Sequence, residues 1–276
     1  MVRLPNAIEC MKSRCKFRYI LLAGERSGGS PLAQEFSVAS GSLIPVADRA
    51  CVSWVVDALA ESECADTGLL CGPEESVVES SELFRELLGN EQKLRWRKPL
   101  SGPAASTLDA LEQIDEYPVL LTTADHALLT PEMIDEFCRG AQAVSADLVV
   151  GLVPYTIVQK AYPSARRTLL NFSGQALCGS NLFAIKSPQA RNALVLWQQV
   201  EDDRKSPWKI ALGLLGVSSL MKYLLGQLSV ESAFERLSKK CGCRLGFVPV
   251  PHADAAVDVD SRSDWQLADA RLRGQM

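Results

Sequence analysis

Short apolar runs alternate with stretches of helical periodicity along most of this chain. Phe17 to Ala23 (FRYILLA), Thr67 to Cys71, Pro118 to Thr123 (PVLLTT) and Asp147 to Val153 are too short for helices and read as buried strands. A further short strand falls near Lys93 to Trp96. Between them lie helical stretches. In residues 49–61, Val52, Val55, Val56 and Leu59 recur at i, i+3, i+4 and i+7, so one face packs on a sheet. Helices are also expected over residues 80–88, over 101–114, and over 131–142, where Thr130 can cap and Pro131 suits the first helical position. Strands alternating with helices at this spacing predict a Rossmann-like α/β fold, a mostly parallel sheet with helices on both faces.

The rhythm changes after Val153. A hairpin is expected through Leu169 to Phe172 with a turn at Ser173-Gly174, and Gly179 to Ile185 reads as a turn feeding a buried strand. Residues 187–240 read as a helical lobe built from 190–200, 208–227 and 229–240, with a late strand over 243–250. Ser261 and Asp264 resemble a capping box that starts a last helix over 262–273. The expected organisation is a basic arm at 1–16 and one domain over 17–275, the lobe at 187–240 inserted before the last strands.

Composition narrows the classes. The chain is 47% hydrophobic and 22% charged, ordinary for a globular protein, and its formal charge of −4 argues against broad nucleic-acid binding. Nine cysteines without a CxxC pair, and only two histidines, His126 and His252, make a zinc site a poor fit. Cys241-Gly242-Cys243 is too tight for a zinc knuckle, so reduced thiols in a cytoplasmic protein are expected. Residues 1–18 are basic but lack an apolar core, which argues against a secretory signal. The uncharged tract Ile210 to Met221 is too short to span a bilayer, so no transmembrane segment is expected. The apolar helical lobe is a candidate homodimer face.

Chemistry concentrates at strand ends. Asp125 follows the strand ending at Thr123; a carboxylate there is either a metal or phosphate-site ligand or a turn former. Gly24-Glu25-Arg26 and the glycines after it can cradle phosphate with backbone N–H groups, although the spacing is not GxGxxG. Ser101-Gly102-Pro103 opens a helix that Ser101 or Ser106 can cap, leaving an N-terminus suited to an anion or a base edge. Arg166, Arg167, Arg204, Lys205 and Lys209 either receive an acceptor's phosphate or are solvated surface charge. Asn181 in Gly179-Ser180-Asn181 suits a turn, and His126 reads as a structural residue of its turn.

In chain order, Leu22-Ala23-Gly24, Ser101-Gly102-Pro103, Thr123-Ala124-Asp125 and Asp258-Val259-Asp260 resemble the nucleotide-diphospho-sugar-transferase-like nucleotidyltransferases. That group includes molybdenum-cofactor guanylyltransferase, methylerythritol-phosphate cytidylyltransferase and the CMP-sugar synthetases; within it the likeness is to the MobA-like NTP transferases. The resemblance spans about residues 17–275. It implies that a nucleoside monophosphate passes from an NTP (CTP or GTP) to a phosphorylated sugar, polyol or cofactor, with pyrophosphate released. Leu22 to Arg26 would wrap the triphosphate, with Arg26 assisting catalysis, while Ser101, Gly102, Pro103 and Ser106 would border the base. Asp125, Asp258 and Asp260 would hold Mg²⁺, and Asn181, Arg167 and Lys205 would meet the acceptor. Asp125 and Asp260 would be catalytic.

The resemblance breaks at one place. Members usually carry a lysine shortly before the run Leu43-Ile44-Pro45-Val46, where this chain has Gly41-Ser42, and Arg26 or Arg49 would have to replace it. A nucleotide-binding protein without catalysis is one alternative. A nucleotide-sugar glycosyltransferase is the other; such enzymes usually carry Asp-x-Asp where this chain has Asp125-His126-Ala127.

Overall fold

Along the first strand, β1 (Phe17–Leu22), side chains alternate between two separate apolar clusters, as a strand buried on both faces requires. Phe17, Tyr19 and Leu21 pack on one face, and Ile20 and Leu22 on the other. The computed structural model describes residues 16–25, 29–90, 92–202, 221–223 and 225–275. The basic arm up to residue 15 and most of the helix expected over 208–227 lie outside the described residues.

After β1 come α1 (Pro31–Glu35), a short hairpin of β2 (Pro45–Val46) and β3 (Arg49–Ala50), and α2 (Cys51–Glu61). Next are β4 (Ala65–Cys71), α3 (Glu75–Ser80), α4 (Glu82–Leu87) and β5 (Leu94–Arg97). The chain continues through α5 (Pro103–Ala110), β6 (Val119–Thr123), α6 (Pro131–Ala143), β7 (Leu148–Pro154) and α7 (Tyr155–Ala161). It ends with β8 (Leu170–Phe172), β9 (Gln175–Ile185), α8 (Arg191–Asp202), α9 (Val230–Cys241), β10 (Leu245–Pro249) and α10 (Arg262–Leu272).

The main sheet runs β10-β7-β9-β6-β1-β4-β5, with β8 attached to β9. All neighbours along this path are parallel except β9, which is antiparallel to both β6 and β7. The stretch expected as a turn at Gly179 is therefore strand interior: β9 runs on from the hairpin, and its register shifts where it passes between Val150 and Leu152. The helix expected over 80–88 is Glu82–Leu87, capped by the Ser81 hydroxyl at Phe84 N, and a further short helix, Glu75–Ser80, precedes it. Helix α7 falls in a stretch with no expected element.

Helices α2 and α6 cover one face with Val52, Val55, Leu59, Ile134 and Phe137. Helices α5 and α8 cover the other with Ala110, Ala193 and Leu194. Buried Asp135 ties α6 to the start of β4: its carboxylate accepts from Ser62 Oγ at 2.6 Å, Cys64 N at 2.9 Å and Glu63 N at 3.3 Å. Asp135→Ala leaves these donors unpaired, so a loss of about 2–3 kcal/mol is expected from denaturant unfolding. A loss under about 0.5 kcal/mol would mean that water satisfies them.

Register sets the site. Leu22 stands level with Cys71 of β4 on one side and Thr123 of β6 on the other, so the loops that follow all open at one sheet edge.

Candidate active site at the carboxyl edge of the sheet

Three loops meet above β1. Ala23 N donates to Cys71 O at 2.8 Å and Ala124 N donates to Leu22 O at 2.8 Å, which pins the strand end from both sides. Gly72 has φ +94°, and a Cβ there would lie 2.5 Å from Gly24 N. Only glycine lets the two backbones approach so closely. A Cβ on Gly24 would in turn lie 3.0 Å from Pro99. Leu22 and Ala23 are accordingly buried strand end, and Gly24 and Glu25 form the exposed lip.

Asp125 sits one residue beyond this junction. Its backbone carbonyl accepts from Val259 N at 2.9 Å, which draws in a segment 134 positions away along the chain (259 − 125). Val259 is buried, so the flanking Asp258 and Asp260 straddle an inward anchor. Two braces hold that segment from behind. Tyr162 Oη donates to Asp254 Oδ1, and Arg271 donates to Asp254 Oδ2 through Nε and Nη2, both at 3.2 Å. His252 Nε2 meets Glu136 Oε2 of α6 at 2.8 Å.

Asp125 Oδ1 is shielded from solvent and has no hydrogen-bond partner. Burial pushes its pKa up to about 7; the charges of Asp258 and Asp260 add to the rise, and the Thr123 hydroxyl opposes it. Asp258 is also raised, first by burial and then by Asp264, while Arg167 and the Asn181 side chain favour its ionised form. An unpaired, proton-retaining carboxylate beside two others fits a hard cation such as Mg²⁺, which takes few protein carboxylates and keeps waters or phosphate oxygens. Among the described residues no three His, Cys, Asp or Glu side chains form a ready-made metal cage.

A cation faces them. The Arg167 side chain is only 9% exposed, and Nη1 binds Asp264 Oδ1 at 2.6 Å. Its Nε and Nη2 are buried without partners, leaving one edge of the guanidinium for a two-oxygen anion. Asn181 beside Asp258 has φ +52°, an unusual backbone state for a residue other than glycine.

Other expected residues fall differently. Ser106 Oγ accepts from Leu100 N at 2.9 Å, so it shapes the loop. Helix α5 has Gly102 as N-cap with no side-chain cap, which corrects the expected serine cap. Glu201 Oε2 from α8 reaches this N-terminus: it accepts from Ala104 N at 3.4 Å and would lie 2.8 Å from a Cβ at Gly102. No sequence signal singles out Glu201, because its position depends on how α8 packs along α5. Arg49 does not fill the missing lysine's place; it pairs with Asp57 at 2.6 Å and stacks 4.4 Å from the Trp54 ring centre. Glu25 instead accepts the Gly41 N–H. His126 is fully buried in its turn, and burial lowers its pKa to about 4. Arg26, Arg204, Lys205 and Lys209 lie outside the described residues.

The model of the MobA-like NTP transferase domain matches residues 20–177. The chain belongs to this family. The match holds the first loop, the α5 loop and Asp125, whereas Asp258 and Asp260 lie beyond it. This MobA-like protein is similar to a solved hypothetical transferase from Thermus thermophilus, with a TM-score of 0.74 and 28% identity over 91% of this chain and 99% of that one. It shares its fold with 4-diphosphocytidyl-2C-methyl-D-erythritol synthase from Anaerococcus prevotii, at a TM-score of 0.57 and 12% identity over 96% and 99% of the two chains. It also shares it with CMP:2-keto-3-deoxy-manno-octonic acid synthetase solved with CTP, at 0.56 and 10% over 95% and 99%. No curated protein sequence gives a match. Among the described residues no helix of this MobA-like chain is long and apolar enough to cross a membrane.

A recess of about 400 Å³ lies at the opposite edge of the sheet. There Lys186 Nζ caps the carbonyls of Ala141, Gln142 and Val144, and Asp147 pairs with Arg244. These groups satisfy one another and seal a seam remote from Asp125.

Proposed function

We propose that this protein is a Mg²⁺-dependent nucleotidyltransferase that transfers a nucleoside monophosphate from CTP or GTP to a phosphorylated small molecule. The observation that carries this reading is the unpaired, buried Asp125 oxygen beside Asp258 and Asp260, one residue from the loop after β1. The Gly24 lip and Arg26 cradle the triphosphate, and the loop from Ser101 to Ser106 borders the base. Asp125 and Asp260 hold the cation, with Asp258 between them and the acceptor side. A cation held by these aspartates would supply positive charge against the charge that builds on the phosphates during transfer. Arg167 and Asn181, with Lys205, orient the acceptor's anionic group for in-line attack. That oxygen is already ionised at neutral pH, so no general base is needed. The protein is read as cytoplasmic, and the free thiols of its described cysteines fit that compartment.

The test is pyrophosphate release with each NTP against a panel of phosphorylated sugars, polyols and cofactors, wild type beside Asp125→Ala. Turnover with one nucleotide–acceptor pair, abolished in the variant, supports the reading; equal turnover in both removes Asp125 from the mechanism.

One observation favours a second reading, a nucleotide-binding protein that has lost catalysis: Glu25, not a lysine, occupies the loop beside Gly41. A carboxylate there repels phosphates. Glu25→Gln is therefore expected to tighten NTP binding by about 3- to 10-fold at low salt, with the gain shrinking at high salt. Calorimetry at two ionic strengths measures this. An unchanged Kd would place Glu25 away from the triphosphate.

A further inference from the structure

Cys241 and Cys243 lie far from the carboxyl edge in chain position and take no part in the proposed transfer, yet their thiols touch. Cys241 closes α9, Gly242 turns the chain at φ +69°, and Cys243 leads toward β10. The two Sγ atoms are 3.4 Å apart. The left-handed glycine makes this possible, because the reversal brings both side chains to the same side of the turn.

Ser238 fixes the turn from both directions. Its carbonyl accepts from Gly242 N at 2.9 Å, and its hydroxyl accepts from Leu245 N at 2.9 Å while donating to Phe234 O at 2.7 Å. The sulfurs are thus presented to one another by a rigid frame. They also differ in environment. Cys241 is partly exposed, whereas Cys243 is buried in the cluster that holds Ala190, Ala193 and Leu194. Burial and its contact with Cys241 push the Cys243 thiol up to about 12, so it keeps its proton and can donate it to the Cys241 sulfur. One accessible sulfur backed by one buried, protonated sulfur is the layout of an attacking and a resolving thiol.

We propose that Cys241-Gly242-Cys243 is a reversible thiol–disulfide site that reacts with low-molecular-weight disulfides. The Cys241 thiolate attacks one sulfur of the small disulfide, forms a mixed disulfide and expels one small thiolate. Cys243 then passes its proton to the small thiolate released in the first step and attacks the Cys241 sulfur, expelling the second thiolate. The product is a Cys241–Cys243 disulfide, with the small disulfide reduced to two thiols. Closing the pair to the usual S–S length of about 2.05 Å needs a shift of little more than about 1 Å, which the exposed Gly242 turn accommodates. Transient, redox-sensing bonds are the usual disulfides of a reducing compartment.

The full chain, equilibrated without oxygen in mixtures of reduced and oxidised glutathione, tests this. Remaining thiols are alkylated and peptides are mapped by mass spectrometry. Wild type is expected to give a peptide with an internal Cys241–Cys243 link, reversed by dithiothreitol. Cys243→Ser should stop at a glutathione adduct on Cys241, and Cys241→Ser should give neither link nor adduct at Cys243. Circular dichroism confirms that each variant is folded, and the wild-type result stands without them. A lasting glutathione adduct on Cys241 in wild type, or both thiols alkylated under every mixture, overturns the proposal.

Discussion

Asp125→Asn is expected to lower NTP-dependent pyrophosphate release by at least about 100-fold, the scale of removing one charge-stabilising group from a phosphoryl-transfer site. The change keeps the side-chain shape and removes the charge, so the fold should survive. Stability carries its own signature. In the native state Asp125 holds its proton to about pH 7, against a normal value of 3.8. The folded pKa is raised, so the stabilisation from its neutral form is complete below pH 3.8 and is lost as pH climbs through about 7. Metal-free wild type should therefore lose thermal stability between about pH 4 and about pH 7, and Asp125→Asn should flatten that slope. Mg²⁺ competes with the same proton, so its stabilising effect on wild type should grow over the same window. Melts across pH, with and without Mg²⁺, check each part; equal slopes for wild type and variant would place the titration elsewhere.

Arg167→Met is the second large expected effect. The variant keeps the buried stem but loses the guanidinium edge formed by Nε and Nη2, which has no partner inside the protein. A charge-assisted, bidentate contact in a desolvated site is worth about 2–4 kcal/mol, so kcat/KM for the acceptor should fall by about 30- to 1000-fold. NTP affinity should change little. Asp264 loses its partner in this variant, so Arg167→Lys serves as a control that keeps the charge without the fork. Partial recovery in the lysine variant supports anion binding. Full activity in both would make Arg167 a structural ion pair with Asp264.

Much of the sheet was legible because its strands are short, apolar and bounded by turns. The antiparallel course of β9 was not legible. Its apolar run has the same composition as a parallel strand, and direction is set by which neighbours it enters between. Helix α7 was missed because Tyr155 to Ala161 makes only about two turns directly after a strand, too brief for periodicity to register. At the site, Asp125 announced itself by following a buried strand, whereas Asp258 and Asp260 stood out only through the resemblance to the nucleotidyltransferases. Their meeting depends on the Val259–Asp125 backbone bond, which no local pattern reveals. The α5 loop shows the reverse. Its serines look like caps, yet the cap comes from Glu201, which neighbours the helix in space and is distant in sequence.

The most direct measurement is calorimetric titration of CTP and GTP into wild type and Asp125→Asn, each with Mg²⁺ and with a chelator. The proposed site predicts that one nucleotide binds wild type only with Mg²⁺, and that Asp125→Asn loses this metal dependence. Nucleotide binding of equal strength with and without Mg²⁺ in wild type, or a metal dependence unchanged by the substitution, would contradict it.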